Sequence, residues 1–220
     1  MNIFRNTFII IILFSTLTAS ASPRDRITDK ADNFSYLSEL EREVVDELNF
    51  ARTHPSDYSV YLVEYSRLFV GRELREDGET TILTKEGKSA VNEAIRFLRN
   101  QKPLSFLIAS KGMSKGAEDM VRMQGTTTQI GHNGRDGSTF AERISRYGRW
   151  DGSCSENIDY GNNKARRIVM ALIIDDGVSN RGHRKSIFNP VFKRVGVACG
   201  QHQKYQYMCV IEYAVRYTEN

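Results

Sequence analysis

The 220-residue sequence lacks several signatures that would settle its chemistry at once. No HExxH pair is present, so a zincin-type metal helix is excluded, and no G-x-S-x-G elbow is present, so an α/β-hydrolase nucleophile is excluded too. No concentrated lysine or arginine run stands beside stacking aromatics, and the net charge of +4 is spread along the chain. That pattern argues against a nucleic-acid partner. No internal repeat or low-complexity tract breaks the order. Cysteines number three and histidines four, so each can be weighed individually.

What is present begins with an export signal. Arg5 and the amino terminus supply positive charge, Phe8 to Leu17 a short apolar run, and Ala19-Ser20-Ala21 small residues for cleavage. The apolar run falls short of the ~20 residues of a spanning helix. No cysteine follows it, so neither a stable membrane anchor nor a lipid anchor is expected there. The sequence therefore divides into a signal peptide over 1–21, a flexible arm over 22–37 and a single domain over 38–220, with a secreted, extracellular location. Asn33-Phe34-Ser35 matches a glycosylation acceptor.

In an oxidising environment the cysteines gain meaning. Cys199 and Cys209 flank GQHQKYQYM, a length suited to a β-hairpin, and could be cross-linked within it; three buried thiols is the alternative. Cys154 is the odd one, either free or competing for one of the other two.

Apolar spacing predicts a helix over Ser38–Thr53, with Ser38 and Glu41 forming a capping box and Pro55 following as a stop. Further helices are expected over Asp57–Phe69, Ser89–Asn100, Ser110–Gln124, Phe140–Tyr147 and Lys164–Ile174. Met113, Met120 and Met123 read as adaptable core filling. Gly71–Glu79 reads as a charged loop and Ser153–Gly161 as a compact, turn-rich stretch. Strands are expected at Val195–Ala198 and within Tyr207–Tyr217. Helices early and strands late favour an α+β class over a doubly wound sheet.

Asp175–Pro190, DDGVSNRGHRKSIFNP, is the densest cluster of ionisable groups, with His183 at its centre. His132 and His183 both stand in glycine-flanked turns, which leave a side chain accessible. Gly182 is expected to free His183 to reach a cleft, and Arg181 and Arg184 to pair with Asp175 or Asp176 and the surrounding carbonyls. His54 at a helix end reads as structural, and His202 as a solvated loop residue. Two imidazoles with carboxylates suit a divalent cation such as zinc. From spacing alone, solvated or structurally bonded histidines explain the same residues.

HNGRDG with a downstream R-x-x-x-Y, then SENIDYG, then DDGVSNRGHRKSIFNPVFKRVGVACG, then YQYMCVIEYA follow one another in this order. Together they resemble the CAP superfamily, the cysteine-rich secretory, antigen 5 and pathogenesis-related 1 domain. The likeness is greatest to its SCP-like extracellular branch and spans roughly Leu40 to Ala214. Glu47, Asn49 and Arg52 resemble that family's first helix. The resemblance implies an α-β-α sandwich, a central antiparallel sheet flanked by helices, with two histidines and two acids lining a cleft. By position these are His132, Glu156, His183 and an acid at Asp175 or Asp176. Many family members carry a glutamate after a tryptophan at the last corner, whereas this chain has Leu172-Ile173-Ile174 and then the two shorter aspartates.

Metal ligation by His132, Glu156, Asp175, Asp176 and His183 is therefore the site expectation, with zinc or magnesium as the cofactor. The functional expectation is a secreted binding module whose extracellular partner is a lipid, a sterol or a surface. Its alternative is a metal-assisted hydrolase or peptidase working through His132, Glu156 and His183. The absence of a committed nucleophile or oxyanion motif favours the binding module over an enzyme.

Overall fold

A computed structural model describes residues 34–220 apart from 77 and 79. The signal peptide, its cleavage point and most of the expected arm lie outside the described residues. One compact unit runs from Phe34 to Asn220. Its start precedes Ser38 because Leu37 is buried in the core and Phe34 and Tyr36 pack beside it.

Helix α1 (Glu39–Thr53) begins with the expected box: Glu41 N–H donates to Ser38 Oγ, and Ser38 N–H donates to Glu41 Oε2. Val44, Val45, Leu48 and Ala51 bury one face. Pro55 does more than stop this helix, because it opens α2 (Pro55–Ser66), where its missing N–H costs nothing. The charged stretch that follows is a small antiparallel sheet of β1 (Phe69–Val70), β2 (Glu73–Leu74) and β3 (Ile82–Leu83). Then come α3 (Lys88–Asn100), β4 (Ile108–Ala109), α4 (Lys111–Gln124) and α5 (Phe140–Ser145). The remaining elements are β5 (Gly148–Tyr160), α6 (Ala165–Ile174), α7 (Gly182–Ile187), β6 (Arg194–His202) and β7 (Gln206–Glu219).

The main sheet has the order β4-β6-β7-β5. Its three long strands are antiparallel, and the two-residue β4 adds a parallel edge to β6. The expected α+β sandwich is thus present, with helices on both faces. Strand alternation sends Val195, Val197, Ile211 and Tyr213 toward α1, α3 and α6. Ala198, Met208, Val210 and Ile158 meet Ala117 and Met120 of α4 on the other face. Gly196 permits that second contact, because a Cβ there would collide with the Met113 backbone.

Three expectations change. Ser153–Gly161 is mostly strand, since the turn-forming residues mark an irregularity between Asp151 and Cys154 inside β5. Asp175–Pro190 contains α7 and is not wholly a loop. His202 is 2% exposed: its Nε2 faces Gln129 O at 2.8 Å, and its Nδ1 accepts from Lys204 and Tyr205 N–H. Cys199 and Cys209 lie opposite each other in the β6–β7 register and form a disulfide, while Cys154 is free.

Candidate functional site

Two imidazole–carboxylate pairs form the site, one from each side of the sheet. His132 lies between α4 and α5. Its carbonyl accepts from Arg143 Nη1 at 3.1 Å, and its neighbour Gly131 is held by Tyr160 Oη and Gln124 Nε2. The His132 ring is half exposed, and its Nδ1 is 2.8 Å from Oε1 of Glu156. Glu156 itself is buried on β5 and takes its second bond from Arg143 of α5.

Behind that pair stands a group the sequence reading did not single out. Glu212 of β7 is directly opposite Glu156 and fully buried. Among the described residues no donor reaches either of its carboxyl oxygens, Arg143 comes no closer than 3.8 Å, and the group within hydrogen-bonding reach is the Glu156 carboxyl. Burial first, and then repulsion from Glu156, hold Glu212 protonated well above the usual carboxylate range.

The second pair depends on an unusual backbone. Asp175 ends α6 in the left-handed region at φ 57°. That conformation turns its carboxylate onto α7, where Oδ2 accepts from His183 N–H at 2.9 Å and Oδ1 lies 2.6 Å from His183 Nδ1. Asn157 Nδ2 donates to His183 O at 3.1 Å, tying the helix to the sheet.

Asp176, expected as an alternative ligand, points elsewhere. Its carboxylate accepts from the main-chain N–H groups of Lys85, Glu86 and Gly87 at 2.6–3.0 Å. Arg181 and Arg184 do not pair with the aspartate carboxylates either. Arg181 bonds Glu86, Glu93 and the Asp175 carbonyl. Arg184 bonds Glu93 and the carbonyls of Ile173 and Ile174. The strained residue is Arg181 at φ 52°, and Gly182 is an ordinary first helical residue. Together these bonds staple residues 175–181 onto the start of α3.

The two imidazoles converge, with ring centroids 6.5 Å apart. Each Nδ1 faces its own acid, so each ring has Nε2 left for a ligand. A tetrahedral zinc held by two imidazoles places the centroids about 5 Å apart, so the rings need to close by about 1.5 Å. Glu156 and Asp175 orient the rings in the manner of supporting carboxylates. Among the described residues, no group of three or more His, Cys, Asp or Glu side chains is arranged to hold a metal ion. The donor set therefore does not fit a closed structural zinc site, which takes four protein ligands.

On the His183 side a cleft of ≈ 360 Å³ opens between α2, α3, α6 and the sheet. Tyr65, Phe69, Val91, Leu172 and Ile174 line it with apolar surface, while Asp159, Asp175 and His183 supply polar groups. Asp159 belongs to the SENIDYG motif, whose order alone does not mark it as part of the site. It is 5% exposed and accepts from Asn162 N–H and Nδ2. Burial pushes its carboxyl up to about 7, against the opposing pull of those bonds and of His183.

A helix-flanked, largely antiparallel sheet with two acid-backed imidazoles at a cleft defines a CAP-type domain. Residues 89–214 match the Cysteine-rich secretory protein family, CAP, and the chain belongs to that family. Among solved structures, an outer surface protein from Borrelia burgdorferi is similar, with 19% identity and a TM-score of 0.43. That match covers 50% of this chain and 78% of the other. An extracellular protein containing a SCP domain from Bacillus anthracis shares 16% identity with a TM-score of 0.38, covering 58% of this chain. A cysteine-rich secretory protein from Staphylococcus aureus shares 14% identity with a TM-score of 0.35, covering 57%. The chain spans 37% of the length of each of these last two. No curated protein matches the chain.

Proposed function

We propose that this protein is an exported CAP-domain binding module that takes an apolar or amphipathic small molecule into the cleft beside His183. The observation that carries this reading is the cleft itself. Its walls are apolar and aromatic, and a few placed polar groups stand at one end, the usual make-up of a small-molecule site. Export accords with the Cys199–Cys209 disulfide and the amino-terminal signal pattern. No described helix is long and apolar enough to cross a membrane.

Ala171 lines the cleft from α6, so Ala171→Phe fills it without touching the histidines. A neutral fluorescent probe, N-phenyl-1-naphthylamine, is expected to bind the wild type and to lose at least tenfold in affinity in this variant. Equal binding in both would remove the cleft as the site.

The imidazole pair supports a weak, exchangeable divalent cation on the two Nε2 atoms, with zinc favoured over magnesium because the donors are nitrogens. Both imidazoles must be neutral to bind it, so affinity falls in acid. Isothermal titration of wild type and His183→Ala with zinc tests this, and equal heats would end the idea.

One observation favours the hydrolase as a second reading. The bond between Asp175 and His183 Nδ1 fixes the tautomer that leaves Nε2 able to accept a proton. Turnover of a peptide library that disappears in His183→Ala would establish it.

A further inference from the structure

We propose that the cleft selects amphipathic organic cations, ammonium groups carried on an apolar body, and rejects anionic headgroups of the fatty-acid or phosphate kind. The proposal rests on the reading of the cleft as a small-molecule site and adds the charge class of its ligand.

Lining composition carries the argument. The chain has 31 lysines and arginines against 27 acids, yet among the described residues the cleft is lined by three aspartates, Asp159, Asp175 and Asp176, and by no lysine or arginine. Three arginines close to lining residues in sequence pair with acids outside the lining. Arg181 and Arg184 are paired with Glu86 and Glu93, and Arg167 with Glu76. Asp175 faces His183 and Asp176 is taken up by the N–H groups of residues 85–87, so an anionic headgroup in this apolar space would meet the carboxyl of Asp159, and a low-dielectric wall magnifies that repulsion. Exclusion by unpaired like charge is a common route to specificity.

The same wall suits a cation. Asp159 is buried among apolar neighbours, with only Asn162 as hydrogen-bonding partner. Phenol rings from α2, β5 and the β6–β7 turn, those of Tyr65, Tyr160 and Tyr205, line the same space. Aromatic faces attract ammonium groups. Two of these rings already hold protein cations, Arg167 at 4.3 Å from the Tyr65 centroid and Lys204 at 5.1 Å from that of Tyr205. Apolar Val91, Leu172 and Ile174 complete the walls for an alkyl or aryl body.

The test compares three ligands with one tail: octylammonium, octanol and octanoate, titrated calorimetrically into the chain at pH 7.5. Octylammonium is expected to bind at least tenfold tighter than octanoate, with octanol between them. Asp159→Asn keeps an acceptor for Asn162 and should narrow the ammonium–octanol gap at least threefold, leaving octanol within twofold of wild type. Thr84→Lys, on the opposite wall, places a cation in the cleft without altering Asp159 and should favour octanoate over octylammonium. Octanoate binding as well as octylammonium to the wild type would overturn the charge selectivity. Octanol binding without charge preference would also overturn it, while leaving the apolar-ligand reading intact. Failure of all three ligands to bind would overturn both.

Discussion

Glu156 and Glu212 stand opposite one another in the β5–β7 register, both buried, and share the neighbourhood of one guanidinium, that of Arg143. Two carboxylates and one cation cannot balance in a dry interior, so one acid keeps its proton. Glu212 is that acid, because Arg143 bonds Glu156 and His132 faces Glu156 as well.

Glu212→Gln should therefore keep the fold and be as stable as wild type or more so at pH 7.5. The sign follows from linkage: a raised native pKa means stability is lost as pH climbs above the unfolded value of ~4.3. Arg143→Met, by contrast, leaves Glu156 buried without its cation and should cost about 3–5 kcal/mol. Urea midpoints at pH 4.5 and 7.5 decide between these outcomes. A Glu212→Gln loss as large as that of Arg143→Met would refute this charge assignment.

The stability profile should peak in mildly acidic solution. Asp159, with its carboxyl near 7, destabilises the native state progressively between about pH 4 and pH 7. Glu86 and Glu93 act in the opposite direction. Bonds from Arg181 first hold each down to about 2, so their contribution is present above ~4.5 and is lost as pH falls toward 2. Both side chains are more than a third exposed or close to it, so the acid limb should be shallow. Melting temperatures of wild type and Asp159→Asn from pH 3 to 8 test this. The variant should flatten the neutral limb, by up to about 4 kcal/mol at pH 8.

At Asp175 the conformation and the bonds can be separated. Asparagine tolerates the left-handed region and keeps an acceptor, whereas alanine does neither. Asp175→Ala should cost about 2–3 kcal/mol and Asp175→Asn less than half as much. Nitrogen-15 spectra of the His183 ring should show a mixed tautomer in the alanine variant only. A single unchanged tautomer in both would show that Asp175 does not orient the ring.

Arg52 is fully buried on α1, and its guanidinium gathers the carbonyls of Ser105, Ile187, Asn189 and Phe192. Lysine cannot reproduce that fork, so Arg52→Lys should lower stability by about 2–4 kcal/mol. The thermal melt checks it directly, and a change below the measurement error would show those bonds to be dispensable.

Reduction of Cys199–Cys209 should cost about 2–3 kcal/mol through the freedom returned to the unfolded chain. Cys154 should react slowly with Ellman's reagent in the native protein, because burial raises its thiol to about 11. Urea should make it react rapidly. Fast reaction of one thiol in the native state would contradict the placement of Cys154.

Much of this architecture was legible in advance. The 3.6-residue spacing of Val44, Leu48 and Ala51, with Ser38 and Glu41 ahead of it, gives α1 and its cap almost to the residue. His132, Glu156 and His183 were legible through motif order. What escaped depends on contacts distant in sequence. The two-residue strands β1 to β3 are too short to show a period. Only the left-handed turn at Asp175 distinguishes its role from that of Asp176. Glu212 did leave a signal, an acid in the middle of the apolar strand MCVIEYA, where alternation requires it to be buried. Asp159 left no such signal, because its neighbours in SENIDYGNN are polar and turn-forming.

The Asp176 staple joins two stretches of chain, one inside the region matched to the family and one before it. The histidines and their acids fall inside residues 89–214, whereas Tyr65, Phe69, Thr84 and Gly87 of the cleft wall precede that region. Asp176 grips main-chain N–H groups, so its hold on the wall does not depend on which side chains stand at 85 and 86. The Glu86 carboxylate adds bonds to Gly177 and Arg181, so residue 86 is held to its side chain while its neighbours in the wall are freer to change. On the proposed binding role, ligand choice can thus change through residues such as Tyr65, Phe69 and Thr84 without disturbing the histidine pair.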